Sequence, residues 1–590
     1  MSATSKHAGG PSGAYTETIV VGCLIAVLVA AAAIVNLIVR LGADDAQQLP
    51  TNPFTLLFEV LDGTVAWPAA GTAIAAALGA VVVLLAIACG VLLRRGRGRR
   101  SRVDRAASRM GRGRDIAALT HRGARQTSRR LGVDAPGLPL GRTVSGNRPL
   151  YASWEDVVVD IAGPRTGKTT GGSAIMVLEA PGACVSTTNK RDLVDATRDP
   201  RASVGHVWVF DPQAIVDEPV NWWWNPLTYV TDEVKAKMLA DIFTSASRTD
   251  PTARTDAFFE PAATELLANL LLAAAVAKRP ITQVYLWLTD PSEDEAVEVL
   301  RADGQDLVAA GLREVINAPE KQRGGVYGTA KQIASFLTNR QAVQWVIPSA
   351  GSRREFDPHA FVRSTDTLYS ISREGIGSAA PLVTGLTVAV MEAAEALAQR
   401  SPGGRLITPI AVVLDEAANV CVWRQLPNQY SHYGSKGVNV ITYLQSWSQG
   451  VEVWGEHGMR KLWSAANVKI YGGGVAERGF LEDLSAQIGQ YQLQTTSLSH
   501  GRGGTSRTSS VRPEAILDVA DLAGLPKGRA VVLASGQRAT LVRRVPWMAS
   551  RHADAVRASI RAHDPCADDT IASVTKALEP PSANGGVAAA

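Results

Sequence analysis

The chain has 590 residues, of which 46% are hydrophobic and 19% are charged, and its formal net charge is +5. This length exceeds that of one ordinary domain, and the apolar content excludes a chain that is disordered throughout. A mean hydropathy of +0.03 indicates a globular protein with membrane-embedded segments. The cysteines at positions 23, 89, 184, 421 and 566 are widely spaced, which predicts neither a disulfide framework nor a metal site and favours a reducing compartment.

Two long apolar segments lie near the N-terminus. Residues 1–18 have no pattern and are expected to be disordered. Residues 19–39 contain Asn36 as their only strongly polar member, and residues 69–93 contain no charge. Each is long enough to cross a bilayer core of about 30 Å as a helix. The alternatives are a cleaved signal peptide for the first and a buried core helix for the second, but residues 36–41 offer no cleavage site. We therefore expect a two-helix membrane anchor over residues 19–93.

Charged residues flank these spans unequally. The loop 41–68 carries acidic residues and no Lys or Arg, whereas the second span is followed by a run of arginines from Arg94 to Arg130. Because positive residues stay in the cytoplasm, both termini are expected inside, although Arg40 at the outer end of the first span disagrees. The basic run suits anionic lipid headgroups or nucleic acid phosphates, and residues 94–150 are interpreted as a basic juxtamembrane linker with a Pro/Gly-rich end.

A phosphate-binding loop follows the apolar residues 157–162 and precedes a helix predicted over 171–178. Backbone N–H groups of such a loop wrap a phosphate, and the dipole of the next helix adds to the attraction. Lys168 is expected to reach the β and γ phosphates of ATP, and Thr169 to ligate Mg²⁺. Ala162 replaces the usual first Gly, so a Gly-rich turn with a chance Lys is the alternative. The predicted nucleotide-binding residues are Gly163, Pro164, Arg165, Thr166, Gly167, Lys168, Thr169 and Thr170.

Further apolar, β-branched runs alternate with helical patterns. We expect strands at 183–188, 206–211, 365–372, 410–414, 438–444 and 530–534. This alternation predicts an α/β fold with a doubly wound parallel sheet over residues 151–230 and 347–545. Residues 231–346 have helical periodicity and are interpreted as an all-α insertion domain. Residues 546–590 are expected to form a C-terminal surface helix and a disordered tail.

Two strand ends carry polar residues suited to nucleotide hydrolysis. Asp415 and Glu416 follow the strand 410–414, so that Asp415 is expected to hold Mg²⁺ and Glu416 to orient the attacking water. Gln445 follows the strand 438–444 and is expected to sense the γ-phosphate. The predicted catalytic residues are thus Glu416, Lys168 and Gln445, and the metal ligands are Thr169 and Asp415. The alternatives are solvated acids and a polar strand cap.

Two other segments allow two interpretations each. The run Trp222 to Trp224 suits stacking on single-stranded DNA, but packing at the foot of the sheet is the stronger interpretation. Residues 495–510 are rich in Gly, Ser and Arg and are interpreted as a flexible loop, either facing a central channel or simply solvated.

The order of these motifs resembles the TraG/TraD-type coupling proteins of type IV secretion over residues 15–545. The motifs are the phosphate loop, residues 188–193, 210–212 and 224–227, the helical insertion, 414–416 and 444–446. The resemblance implies a RecA-like ATPase domain with an all-α domain, in a protein with two passes through the plasma membrane and a cytoplasmic ATPase domain. It further implies a homo-hexamer that brings DNA, expected to be single-stranded, and relaxosome proteins to the secretion channel. Residues 409–541 are similar to the family's relaxosome recognition region.

One position departs from the family pattern. An Arg that acts on a neighbouring subunit's nucleotide often precedes the sensor strand, whereas this chain has Lys436 there. A Lys lacks the planar fork of Arg, so Arg373, Arg424 and Arg460 stay open as alternatives. The main functional hypothesis is a membrane-anchored ATPase that drives conjugative DNA transfer. A double-stranded DNA translocase or protein-secretion motor, and an ATP-binding docking protein without DNA pumping, are the other hypotheses.

Overall fold

The protein is described here as a computed structural model. It describes residues 29, 32–33, 35–40, 49–68, 71–73, 76, 80, 101–248, 258–349, 351, 353–375, 377–501 and 504–576, of which 496–501 and 504–508 are described by backbone alone. Two compact units divide the chain, residues 1–100 and residues 101–590. In the first unit, α1 spans Pro53–Leu61, and the Asn52 side chain accepts a hydrogen bond from Phe54 N at its start. Apart from scattered positions, the predicted spans 19–39 and 69–93 lie outside the described residues, as do residues 1–18 and 577–590.

An eleven-stranded mixed sheet forms the centre of the second unit. Its strands are β1 Leu138–Thr143, β2 Pro149–Ala152, β3 Val158–Ile161, β4 Cys184–Thr188, β5 Val207–Phe210, β8 Thr367–Ile371, β9 Ile410–Leu414, β10 Val438–Leu444, β11 Val468–Tyr471, β14 Arg529–Ala534 and β15 Thr540–Arg543. Their order is β2-β1-β15-β14-β11-β3-β10-β9-β4-β8-β5. The seven strands from β11 to β5 are parallel, and the four on the other side of β11 are antiparallel. The large α/β sheet is thus as expected, but it is mixed rather than wholly parallel.

The central strands are buried at every position because helices cover both faces of the sheet. This holds for β3, β4, β8, β9 and β10, whose residues are mostly aliphatic and β-branched. The covering helices are α4 Ala174–Leu178, α5 Asp192–Ala202, α13 Pro358–Phe361, α14 Ala380–Gln399, α15 Ala417–Val420, α16 Leu426–Lys436, α17 Trp447–Ala465, α18 Arg478–Ile488 and α19 Val519–Ala523. In the register, Val440 pairs with Val412 and Ile441 with Val158, which places the carboxyl ends of β3, β9 and β10 at one edge.

The segment predicted as a juxtamembrane linker is folded, and that prediction is wrong for residues 101–150. Helices α2 Arg102–Ala106 and α3 His121–Arg130 precede the β1–β2 hairpin, which joins the sheet through β15. The Pro and Gly residues of this segment suggested a linker, but they lie in and beside a hairpin at the edge of the sheet, where such residues are tolerated. Gly141 has φ +121°, and an added Cβ would lie 2.6 Å from the Arg543 carbonyl oxygen, so the close approach of β15 requires glycine there.

We predict that a fragment starting at residue 101 is more stable than one starting at residue 131. The shorter fragment loses the buried side chains of Val103, Met110, Ile116 and Leu119. Each such side chain contributes about 1.5–3 kcal/mol on burial, so the shorter fragment is expected to unfold at a clearly lower urea concentration. Equal urea midpoints for the two fragments, measured by circular dichroism, would show that residues 101–130 do not pack as described.

All described elements from residue 231 to residue 346 are helical. They are α6 Glu233–Ala246, α7 Phe259–Val276, α8 Thr282–Thr289, α9 Glu295–Ala302, α10 Asp306–Asn317, α11 Glu320–Ile333, the 3-10 helix Ala334–Thr338 and α12 Arg340–Val343. Among the described residues, α7 and α14 are the two helices long and apolar enough to cross a membrane. Both are largely buried within the second unit and form part of its main hydrophobic core, as core helices of a globular domain do.

Residues 490–501 and 504–515 form an extended two-stranded ribbon rather than the predicted flexible loop. Strands β12 Gln490–Gly501 and β13 Gly504–Ala515 pair from Gln490↔Ala515 to Gly501↔Gly504. The sequence did not predict these strands because both are mostly polar. They therefore lack the alternation of apolar and polar residues that marks a strand with one buried face. At the base, Tyr491 donates a hydrogen bond of 2.7 Å to Glu514, and the Arg109 guanidinium lies 3.6 Å from the Tyr491 ring centroid.

The tryptophan run and the C-terminal segment both pack on the sheet domain. Trp222, in the short strand β6 Trp222–Trp223 that pairs with β7 Arg354–Glu355, contacts the rings of Trp208 and Trp345, which agrees with the packing interpretation. The predicted C-terminal helix is two helices, α20 Ala553–His563 and α21 Ala567–Lys576. Helix α20 lies on α5, where Ser559 donates a 2.6 Å hydrogen bond to the Asp195 carbonyl oxygen.

Candidate functional site

The phosphate loop lies between β3 and a π-helix, Thr169–Ser173, that continues into α4. The helix thus starts two residues before the predicted position, and its first turn is widened. Gly163 N donates a 2.8 Å hydrogen bond to the Gly473 carbonyl oxygen, and a Cβ at Gly163 would lie 2.1 Å from the Gly474 carbonyl oxygen. Any side chain at this position would clash with that carbonyl group, so only glycine fits there.

The loop presents unpaired backbone donors. Arg165 and Gly167 have φ of +61° and +89°, which turns the chain sharply around the loop. Among the residues that the structure describes, none accepts a hydrogen bond from the backbone N–H groups of residues 165–170. Unpaired N–H groups next to a helix start form an anion site. The loop residues therefore fit the phosphates of a nucleotide.

Lys168 lies against the two carboxylates that follow β9. Its Nζ is 2.7 Å from Glu416 Oε1 and 3.8 Å from Asp415 Oδ1, and all three side chains are buried. Glu416 has φ +54° and ψ +46°, an uncommon left-handed conformation for a non-glycine residue. Such backbone strain is often found at functional sites. The structure thus brings together residues 248 positions apart.

Gln445 completes this cluster from the end of β10. Its Nε2 donates a 2.7 Å hydrogen bond to Glu416 Oε2, while its backbone N donates to Gln449 Oε1 at 2.8 Å. Glu416 therefore contacts Lys168 through one oxygen and Gln445 through the other.

Asp415 has the features of a cation ligand. Its Oδ1 is buried and has no hydrogen-bond partner among the described residues, while its carbonyl oxygen accepts a bond of 3.1 Å from Thr187 Oγ1. Burial raises the pKa of Asp415 to about 7, and Lys168 opposes this rise. A carboxylate oxygen that lacks a partner beside a phosphate loop fits Mg²⁺, a hard cation that prefers oxygen ligands. Thr169, next to Lys168 in the chain, is the second predicted ligand.

We predict a specific pH dependence of stability for the metal-free protein. Because the folded pKa of Asp415 lies above its unfolded value of 3.8, its contribution to stability is full below about pH 4 and is lost as pH rises to about 7. The urea midpoint of the wild type is therefore expected to fall, relative to that of Asp415→Asn, over this window. Parallel midpoint curves for the two proteins in EDTA would contradict this assignment.

A buried ion pair between β3, which leads into the phosphate loop, and the segment after β15 was not predicted from the sequence. Arg544 Nη2 lies 2.7 Å from Asp160 Oδ1, and both residues are almost fully buried. An added Cβ at Gly172 would lie 3.0 Å from Arg544 Nη1 and 3.1 Å from the Tyr443 hydroxyl, so the guanidinium packs directly against the widened helix turn. Asp160 inside the apolar strand β3 was the one signal that could have revealed this pair.

The four candidate cations for a neighbouring subunit differ in their surroundings. Lys436 Nζ lies 2.5 Å from Glu395 Oε1, and Arg460 Nε lies 2.7 Å from Glu456 Oε1. Arg373 and Arg424 are exposed, and within the described part of the chain no acidic group pairs with either guanidinium. Arg373 and Arg424 are thus the candidates with free guanidinium groups.

Comparisons with known proteins concern the family and the fold of the chain. Residues 409–527 match a family described as the TraM recognition site of TraD and TraG. No curated protein matches the chain. A solved structure of the bacterial conjugative coupling protein TrwBΔN70 with sulphate has a TM-score of 0.50 and 17% identity and covers 69% of this chain and 89% of its own. The unbound monoclinic form of TrwBΔN70 has a TM-score of 0.50 and 15% identity, with 69% and 88% covered.

A third solved structure, TrwB in complex with ADP and Mg²⁺, has a TM-score of 0.49 and 15% identity, with 67% of this chain and 85% of that chain covered. At such identities the likeness to TrwBΔN70 shows the α/β fold. The matched segment 409–527 falls within residues 409–541, where the sequence resembles the relaxosome recognition region. The family segment and the fold together confirm the resemblance to TraG/TraD-type coupling proteins.

Proposed function

We propose that this chain, a TraG/TraD-type coupling protein by its resemblance, is a membrane-anchored ATPase that couples DNA–protein substrates to a type IV conjugative secretion channel. One observation carries the ATPase proposal: Lys168, Glu416 and Gln445 converge at the carboxyl edge of the sheet beside a loop of unpaired N–H groups. This is the arrangement that ATP hydrolysis needs.

Each residue of the site has a proposed role. The N–H groups of residues 165–170 and the Lys168 ammonium neutralise the phosphates of ATP. Glu416 orients the attacking water, and Gln445, already bonded to Glu416, reports its position to the end of β10. Thr169 and Asp415 would hold Mg²⁺, which would supply positive charge next to the transferring phosphoryl group.

Lys168 changes partner during this cycle. Lys168 Nζ lies 2.7 Å from Glu416 Oε1, so the ammonium holds the carboxylate. Binding of a triphosphate gives Lys168 a more highly charged partner and frees Glu416 Oε1 for a water. The ion pair thus keeps the water-activating carboxylate engaged until substrate is present.

The partners of the protein follow from the same resemblance. We propose a homo-hexamer in the plasma membrane, anchored by two spans with both termini and the ATPase domain in the cytoplasm. In that ring, Arg373 or Arg424 reaches the nucleotide of the neighbouring subunit. The segment 409–527 contacts relaxosome proteins, and the paired strands β12 and β13 lie within it. Channel components and single-stranded DNA complete the set of proposed partners.

The test is the rate of ATP hydrolysis by the full-length protein in detergent, with and without DNA, at one fixed salt concentration. Stimulation by single-stranded DNA is expected for the coupling ATPase. Greater stimulation by duplex DNA would favour a double-stranded translocase. Hydrolysis at the same rate with and without DNA would contradict DNA pumping and favour a protein-secretion motor or a docking protein. Salt is fixed because DNA affinity falls steeply with ionic strength.

A further inference from the structure

The short helix between the two predicted membrane spans has an exposed apolar face. Helix α1 carries Phe54, Phe58 and Leu61 at spacings of four and three residues, which places them on one face. These residues are 41%, 63% and 71% exposed, whereas Leu56, on the far side of the helix, is fully buried. We call Phe54, Phe58 and Leu61 the apolar stripe.

The polar residues of α1 lie on a neighbouring face. Thr55, Glu59 and the C-cap residue Asp62 repeat the spacing of the apolar stripe one position later in the chain. Because each residue of an α-helix turns the chain by about 100°, these three side chains line one flank of the stripe. A helix with an apolar face beside a polar flank suits a boundary between water and an apolar phase.

Hydrogen bonds hold both ends of this segment at the ends of the spans. Arg40, at the outer end of the first span, donates 2.7 Å and 3.1 Å hydrogen bonds to Asn36 Oδ1 and to the Pro50 carbonyl oxygen. After the helix, Trp67 Nε1 donates a 3.3 Å hydrogen bond to Thr72 Oγ1, which lies within the second predicted span. Helix α1 is therefore held at the level where the spans leave the bilayer.

Trp67 marks that level. An added Cβ at Gly71 would lie 2.8 Å from Trp67 Nε1 and 3.3 Å from Ile38 Cγ2, so the indole ring and the end of the first span both approach the second span closely. Trp67 is 40% exposed. Tryptophan is enriched at membrane–water boundaries, because its ring is apolar and its N–H group is polar.

We propose that the apolar stripe of α1 lies in the outer leaflet of the bilayer, at the boundary between lipid headgroups and acyl chains. Lipid is the apolar phase that the chain enters on both sides of α1, and water is an unfavourable neighbour for three large apolar side chains. The polar flank, with Thr55 and Glu59, faces water. This inference rests on the proposed two-span anchor and adds to it a third membrane contact, parallel to the surface.

The test measures what surrounds a nitroxide spin label on each face of α1. The full-length protein is labelled at Phe58→Cys, in the apolar stripe, or at Thr55→Cys, on the polar flank, and is placed in lipid nanodiscs. The label at residue 58 is expected to collide more with oxygen, which concentrates in lipid, than with a water-soluble nickel complex. The label at residue 55, the matched control, is expected to show the reverse order.

A second position keeps the proposal falsifiable if Phe58→Cys does not insert. Leu61→Cys lies on the same stripe and is expected to give the same order of collisions as Phe58→Cys. Both labels are placed in a protein whose cysteines at positions 23, 89 and 566 are replaced by Ala. Cys184 and Cys421 are buried and are retained.

Two results would overturn the lipid contact. Labels at residues 58 and 61 that meet the nickel complex as often as the label at residue 55 would place the stripe in water. Spectral broadening at residue 58 that disappears on dilution with unlabelled protein would show that a second copy of the chain covers the stripe.

The membrane anchor is tested separately, by extraction of membranes with alkaline carbonate. Release of the wild-type protein would overturn both the anchor and the lipid contact of α1. Retention of the protein together with a stripe that lies in water would overturn the lipid contact alone.

Discussion

Replacement of Lys168 by Ala is expected to lower the rate of ATP hydrolysis by roughly 10²–10³-fold, the loss typical of removing one charge-stabilising donor from an active site. Lys168 Nζ lies 2.7 Å from Oε1 of Glu416, the carboxylate that we propose orients the attacking water. Without Lys168, the negative charge on the transferring phosphoryl group loses the loop cation that lies beside Glu416. The measurement is phosphate release at saturating ATP by the full-length protein.

A structural effect of this substitution has to be separated from the catalytic one. Lys168→Ala leaves the buried carboxylates of Asp415 and Glu416 without their cation, which also destabilises the fold. The double variant Lys168→Met, Glu416→Gln removes both charges of the 2.7 Å ion pair together and is expected to regain part of the lost stability but none of the activity. Turnover at the wild-type rate in Lys168→Ala would remove the phosphate loop from the mechanism.

Replacement of Arg544 by Met is expected to destabilise the protein by about 3–5 kcal/mol, the usual cost of breaking a buried ion pair from one side. The substitution leaves Asp160 buried in β3 without the partner that lies 2.7 Å away. It also removes the group that packs against the widened turn at Gly172. Urea unfolding of the variant and the wild type measures the difference.

A second substitution identifies the cause. Asp160→Asn in the Arg544→Met background removes the unpaired charge and is expected to recover part of the loss. Arg201 serves as the control, because it is equally buried but bonds to uncharged acceptors, among them Thr367 Oγ1 and the Ala180 carbonyl oxygen. Asp160→Asn should therefore give no recovery in Arg201→Met. Equal recovery in both backgrounds would show that charge at Asp160 is not the cause.

The elements that were predicted correctly from the sequence are those that a short stretch of neighbouring residues is sufficient to identify. The apolar strands 410–414 and 438–444 are β9 and β10 at the same residues, because strands buried on both faces are continuously apolar. Strand ends at one sheet edge then place Asp415, Glu416 and Gln445 beside Lys168. Spacing along the chain and the rules of parallel sheets are sufficient for this prediction.

The elements that were missed depend on partners distant in sequence. The hairpin β1–β2 contains Pro and Gly and resembles a linker until β15 is placed beside it, with Arg142 paired with Arg543. The Asp160–Arg544 pair joins positions 384 residues apart, and no local pattern marks Arg544 as buried. The polar β12–β13 ribbon has no buried face and so lacks the periodicity by which strands are recognised.

The pairing of β1 with β15 also dictates when this protein can finish folding. Arg142 pairs with Arg543, so the first hairpin has no neighbour in the sheet until β15 has been synthesised. At about 5–20 residues per second, the ribosome needs roughly 20–80 s to cover that separation. During this time β1 presents an open strand edge, which invites pairing with other chains. Early termination of translation, before β15, would therefore leave a nascent protein with a phosphate loop but an aggregation-prone sheet edge.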